Sequence, residues 1–404
     1  MGTLLDWIDQ RLPVRRFWQQ HFTEYYVPAN LNGWYLFGVL ALLVLAIQLL
    51  TGIWLVMSYQ PSAEQAFASV QAIMRDVPFG WLLRHMHSTG ASAFFIVVYL
   101  HLFRGLLYGS YRAPRELVWI SGLLVWLVLM AMAFTGYLLP WGNMSYWGGQ
   151  VIISLFGTIP LVGRALADWI RGDYLLSGIT LNRFFALHVV ALPLCLLGLI
   201  LLHLAALRAV GSNNPLGVRP ARPRAGAGCP PGYRPFWPYY ALKDLLGVAV
   251  FLLVWCAVVF FWPDMNGLFL EPANYAEADP LQTPEHIRPL WYFAPFYAIL
   301  RAVPDQLGGV FCMGLAVALL FVLPWLDRSP VRALRYKGRF SQLALVVWCL
   351  SGLGLGMLGL LPAAEGLIWL ARGLLVGYFA PLLLMPVYTG REKAGRPPAG
   401  GLPS

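Results

Sequence analysis

The chain has 404 residues, 59% of them hydrophobic and only 11% charged, with a formal charge of +10 and a mean hydropathy of +0.64. Soluble domains carry about twice that charge fraction, so the composition excludes a soluble enzyme and implies an all-α, polytopic membrane protein. The basic excess is to be read by its place along the chain, as a membrane-topology signal, and implies no nucleic-acid partner.

Residues 1–30 form an arm rather than a leader: no uninterrupted apolar stretch follows a basic start, so no cleaved signal is expected. Leu4, Leu5, Ile8 and Leu12 instead suggest a short amphipathic helix lying at the interface. Eight segments are then long enough to cross the hydrocarbon, at about 33–57, 81–105, 117–138, 183–207, 245–262, 307–326, 341–361 and 366–386. Span one carries Gly38 and Gly52, and span three carries Gly122 and Gly136, each pair 14 residues apart. Span two carries His87 and His101, also 14 apart, which is roughly 21 Å along a helix and within about 40° of one face. Span four carries His188 and His203, 15 apart, roughly 22 Å along the axis and about 60° off one face. The whole divides into the arm 1–30, a four-helix bundle 31–210, a linker 211–243, four further helices in 244–390, and a tail 391–404. The five cysteines (Cys195, Cys229, Cys256, Cys312, Cys349) are scattered, with no C-x-x-C or C-x-x-C-H, so neither a zinc or iron–sulfur site nor a c-type haem is encoded.

Imidazoles at membrane depth are costly and mark function. A single one is more often a packing or proton-relay residue, and His85, which has no partner at this spacing, reads as interfacial. Two helices with matched upper and lower histidines instead predict two stacked metal centres, each held by one histidine from each helix. Bis-imidazole ligation without a cysteine or carboxylate suits haem iron, whereas zinc would want four compact ligands. The glycines at the same 14-residue step would let a porphyrin edge approach the backbone; membrane glycines otherwise serve helix packing. Arg84, Arg104 and Arg183 lie close in sequence to the ligands, where a guanidinium either pairs with haem propionates or snorkels to the interface. With the N-terminus cytoplasmic, the arm, loops two–three, four–five and six–seven and the tail hold most of the 28 Lys and Arg, including Arg112, Arg115, Arg219, Arg222, Arg224 and Arg335. Loop five–six, with Asp264, Glu271, Glu277, Asp279 and Glu285, is then outside. His87 and His188 become the outer pair, and His101 and His203 the inner pair.

The motifs GWLLRHMHSTGAS, HLFRGLLYGSY, GYLLPWGNMSYWG (Gly136–Gly148), LNRFFALH, GSNNP (Gly211–Pro215), KDLLG (Lys243–Gly247) and PLWYFAPFYAILRAVPDQLGG (Pro289–Gly309) carry a resemblance. From about Tyr25 to Tyr388 the chain resembles cytochrome b, the membrane subunit of the quinol:cytochrome c oxidoreductase (bc1) complex, of proteobacterial type. The resemblance implies two non-covalent b haems, the lower-potential one outside, and a homodimeric complex with cytochrome c1 and a Rieske iron–sulfur protein in the lipid of a bacterial inner membrane. It implies oxidation of quinol (ubiquinol or menaquinol) near the outer face, reduction of quinone near the cytoplasmic face, and proton translocation between them. Tyr137, Tyr292 and Tyr297 would line the outer site. Ser212, Lys243 and Asp244 match the inner-site positions, with Asp244 able to hydrogen-bond or protonate the reduced quinone.

This sequence departs from the family pattern in three places. The P-E-W-Y tetrad reads Pro289-Leu290-Trp291-Tyr292, so the usual carboxylate is absent. Glu285 or His286 then offers itself as acceptor of the second quinol proton, the alternative being release to ordered water. Arg208 stands where the family usually has an inner-site histidine; it would orient a reduced quinone electrostatically, or else meet a haem propionate or lipid phosphate. The 15-residue spacing in span four also resembles cytochrome b6, but spans five to eight continue in the same chain and span one has Leu36 where b6 carries a haem-bearing cysteine. A di-haem anchor subunit of another quinone-linked oxidoreductase is the rival reading; it would need fewer spans and lack the two quinone-site motifs.

Overall fold

The computed structural model describes residues 4–218 and 228–398. Arg219, Arg222 and Arg224 of the linker, and the last six residues of the tail, lie outside the described residues. Among those described, eight helices are long and apolar enough to cross a membrane: Gly33–Val56, Gly80–Tyr108, Glu116–Leu138, Gly178–Val210, Phe236–Phe261, Gln306–Leu326, Arg339–Gly359 and Glu365–Leu383, spans one to eight in order. Span four begins earlier than its apolar run because Ser177 caps it, accepting from the Ile179 amide while Thr180 returns a bond to the Ser177 amide. Span five begins at Phe236, inside the stretch that the sequence assigns to the linker.

Spans one and two pack together, as do three and four, and the four make one bundle. Spans six, seven and eight pack around a short helix, Ala294–Ala302, whose Ala298 and Ile299 are fully buried. One apolar core joins the two halves: Phe95 of span two stacks on Tyr292 at 3.9 Å, and Trp126 of span three meets Phe296. Large apolar side chains such as Leu245, Leu253 and Phe261 point outward, as expected where the solvent is lipid.

Polar contacts fasten the face that carries the N-terminal arm. Strand β1 (Tyr26–Pro28) pairs antiparallel with β2 (Tyr233–Pro235), tying the arm to the segment that enters span five. At the exit of span two, Gly109 turns left-handed (φ +63°) against the Arg332 carbonyl, a closeness that excludes a Cβ. Beside it Tyr111 donates to Asp327 Oδ2 at 2.7 Å, Lys337 bonds both Tyr111 (3.0 Å) and Asp327, and Arg112 donates to the Val331 carbonyl at 2.8 Å. Asp327 and Lys337 are buried. Burial lowers the Lys337 pKa, and the Asp327 carboxylate opposes that shift.

Span four is not a uniform α-helix. Residues Leu187–Ala191 form one π turn, with the Leu192 amide donating to the Leu187 carbonyl. Pro193 follows, without an N–H for the Val189 carbonyl, where a regular α-helical ladder would need one. The wider turn absorbs one residue. His188 and His203 therefore sit as residues 14 apart would, matching span two, and the 60° offset expected from a uniform helix is corrected.

Candidate functional site: two stacked imidazole pairs and a cavity

The four bundle histidines meet two by two. The ring centroids of His87 and His188 are 6.2 Å apart with planes at 83°, and those of His101 and His203 are 6.3 Å apart at 67°. A metal–imidazole bond is about 2 Å, so two rings facing one atom through nitrogen sit with centroids roughly 6 Å apart. Their outer nitrogens are tied back. His188 Nδ1–H donates to the Met132 carbonyl at 2.9 Å. The Thr51 hydroxyl gives its proton to Ile47 O and accepts from His87 Nδ1 at 2.9 Å; Ser121 donates to Val118 O and does the same for His203 at 3.1 Å. With the proton fixed on Nδ1, Nε2 keeps its lone pair for a metal. His101 Nδ1 has no partner among the described residues.

Each of the four predicted glycines lies against one of these rings. A Cβ at Gly38 would meet His101 Cε1 at 3.2 Å, one at Gly52 would meet His87 Cε1 at 3.2 Å, and one at Gly122 would meet His203 Cε1 at 3.2 Å. A Cβ at Gly136 would overlap the His188 ring outright. Spans one and three thus seat the imidazoles that spans two and four supply.

The pair on the face away from the arm opens into a cavity of about 270 Å³, lined among others by Arg84, His87, His188, Tyr137, Leu290 and Tyr292. Here Tyr292 is buried under Phe95, its carbonyl takes the Tyr99 hydroxyl at 3.0 Å, and Trp291 Nε1 donates to Ser92 at 3.1 Å. Asn274 ties the segment after span three to the loop after span five: its side chain accepts from the Ser145 amide at 2.9 Å. The Asn143 amide donates to the Ala276 carbonyl, also at 2.9 Å. The Tyr137 hydroxyl is buried without a hydrogen-bond partner among the described residues.

Several predicted residues sit away from that cavity. Tyr297 bonds the Ile287 carbonyl at 3.4 Å, with Arg301 stacked on its ring at 4.6 Å. Glu285 is exposed and His286 half-buried. Arg183 is committed to the Trp169 carbonyl and that residue's ring, whereas Arg84 lines the cavity and Arg104 is the charge nearest both His101 and His203. Arg104 Nε, buried beside that pair, has no partner among the described residues. The missed residue is Glu271, buried and paired with Arg288, 19 positions ahead of Leu290. Its place among five acidic loop residues gave no sign of its burial.

On the arm face, Arg208 stacks on Tyr25 at 4.2 Å and the Tyr25 hydroxyl lies 3.2 Å from Ser212 Oγ. Asp244 is buried beside Tyr35, with Oδ1 unbonded among the described residues. Lys243 is exposed and bonds Tyr239 at 2.9 Å, so it faces away from its neighbour Asp244.

Stacked bis-imidazole centres crossing a helical bundle, with a cavity at one end, define a membrane haem protein of the electron-carrying kind. Residues 22–211 match the family model for cytochrome b/b6/petB, and residues 277–379 match that for the C-terminal part of cytochrome b/b6/petD. The chain is 55% identical to cytochrome b of Allochromatium vinosum, over 96% of each chain, and 47% identical to that of Rhodospirillum rubrum, over 97% of this chain and 94% of the relative. A chain solved in a hyperthermophilic respiratory complex III superposes with a TM-score of 0.89 at 37% identity, covering 96% of this chain and 98% of that one. The protein belongs to the cytochrome b family.

Proposed function

We propose that this chain is the quinone-binding, haem-bearing subunit of a quinol:cytochrome c oxidoreductase, in a bacterial inner membrane with both termini cytoplasmic. The carrying observation is the pair of stacked histidine couples with an apolar cavity beside one of them. His87 with His188, and His101 with His203, would each hold one haem b. The observations that fit are the ring separations, the proton fixed on Nδ1 of His87, His188 and His203, and the glycine seats; Arg84 and Arg104 are the cations available to propionates. The two haems supply one-electron carriage between the quinone sites.

The protein does the rest. The wall of Leu290, Tyr292 and Tyr137 holds quinol at the outer end and keeps water from it. At the inner end Ser212, Arg208 and Tyr25 form one polar group and Asp244 another, with Asp244 the proton donor to reduced quinone. Arg208 serves as a fixed cation. The relative named cytochrome b/c1 from Bradyrhizobium diazoefficiens, 44% identical over 97% of this chain but only 56% of its own length, supports cytochrome c1 as a partner. A Rieske iron–sulfur protein, a second copy of the complex, lipid and ubiquinone complete the expected set.

Reduced-minus-oxidised spectra of the purified complex test this directly. His87→Ala or His188→Ala should delete one b band and His101→Ala or His203→Ala the other. Quinol-dependent cytochrome c reduction should be lost in all four. A variant retaining both bands would break the pairing.

A further inference from the structure

Leu290 leaves the outer cavity without a carboxylate at that position, yet quinol oxidation must release two protons as well as two electrons. The electrons have acceptors in the proposed function, one through the iron–sulfur partner and one through the b haems. One proton leaves with the iron–sulfur partner. The second needs a base reachable from the cavity.

The loop after span five brings a carboxylate beside two residues that line it. Pro263 accepts a bond from Thr89 of span two at 3.2 Å, and the chain then turns through three left-handed residues, Met265, Asn266 and Gly267. The Phe269 amide closes that turn on the Asp264 carbonyl at 3.0 Å. Leu270 and Asn274 both line the cavity, and Glu271 lies between them, 8% exposed. Its Oε1 accepts from Arg288 Nε, two residues before Leu290. The charged and titratable groups facing the carboxylate are Arg288, His286 and, on span three, Tyr137. Tyr137 lines the cavity, and its hydroxyl is the buried group there with no hydrogen bond among the described residues.

We propose that Glu271, held by Arg288, is the base for the second quinol proton, receiving it across the Tyr137 hydroxyl and passing it to half-buried His286 and the outer water. This rests on the proposed function and names the proton-accepting residue of its outer site. In the balance, quinol loses two electrons and two protons and becomes quinone. Tyr137 accepts one proton from a quinol hydroxyl as it gives its own to the Glu271 carboxylate, and Glu271 is then a neutral acid until His286 takes the proton. Burial raises the Glu271 pKa above the ordinary carboxylate range while Arg288 pulls it back. The base form works, so activity falls as pH drops through that value.

The test is quinol oxidation by the whole complex against pH, with the inner site blocked by a selective inhibitor and haem content checked by difference spectrum. Glu271→Gln should slow oxidation on the order of 10²-fold and erase the acid limb of the profile. Arg288→Gln leaves the carboxylate in place but removes the cation, so the acid limb should move to higher pH. Glu271→Gln with wild-type rate and profile, or Arg288→Gln with an unmoved limb, overturns the proposal. The Arg288 result decides alone if Glu271→Gln fails to assemble. Adding Leu290→Glu to Glu271→Gln should restore at least a tenth of the rate, and no recovery counts against a displaced base. If wild-type oxidation is itself insensitive to outer-site inhibitors, the proposed function fails; if wild type behaves as expected and the variants are silent, only Glu271 fails.

Discussion

An imidazole that binds iron in a helical bundle needs three things: a free nitrogen, a fixed ring and space. The sequence supplies all three with different residue types: histidine, a hydroxyl or carbonyl neighbour, and glycine. Glycine is the least forgiving of these. Gly136 has no room for a methyl group, since a Cβ would overlap the His188 ring, while at the other three a Cβ would stand 3.2 Å from a ring carbon, a crowding that the imidazole relieves by giving a few tenths of an ångström. Gly136→Ala should therefore shift or abolish one b band and Gly52→Ala should leave both, as read in the reduced-minus-oxidised spectrum. The histidines and glycines were legible because their spacing is set by the height of the site, not by local fold. Arg183 was not: its closeness to a ligand in sequence is ordinary helix geometry, and its guanidinium turns to the Trp169 carbonyl. Glu271 was illegible for the opposite reason. It lies between the cavity-lining Leu270 and Asn274, beyond a left-handed turn and 19 positions ahead of Leu290, and single-sequence reading assigns such loop acids to solvent.

Among elements, span four shows where periodicity reasoning runs short. All eight spans were legible from apolar length, but a 15-residue spacing on a straight helix turns one histidine away, and only the π turn at Leu187–Ala191 restores the face. Pro193 was a visible sign of broken hydrogen bonding, though not of its register. Deleting Val190, which is 55% exposed, should convert that turn to α and keep both b bands. Deleting exposed Gly198, in the regular part of the helix, rotates one histidine by about 100° relative to the other and should cost at least one band. Equal spectra from the two deletions would show that the π turn is not what aligns the pairs.

Across the whole molecule, the bundle and the last four helices are joined by buried chemistry as well as by chain. Asp327→Ala leaves the Lys337 ammonium buried without its counter-charge, which typically costs about 3–5 kcal/mol. The midpoint for thermal loss of the b bands in detergent should fall accordingly, and Asp327→Ala with Lys337→Ala should recover part of it. Those contacts include Phe95 on Tyr292, Trp119 to the Leu320 carbonyl at 2.8 Å, and the Tyr111–Asp327–Lys337 cluster. All of them tie residues before the linker to residues after it. The interface itself is therefore expected to hold these halves together without a continuous chain between them. Severed within residues 219–227 and produced as two polypeptides in one membrane, the pieces should find each other, co-purify through a tag on either one, and show both b bands. A tagged N-terminal piece emerging alone would mean that the covalent link, rather than the interface, keeps the protein whole.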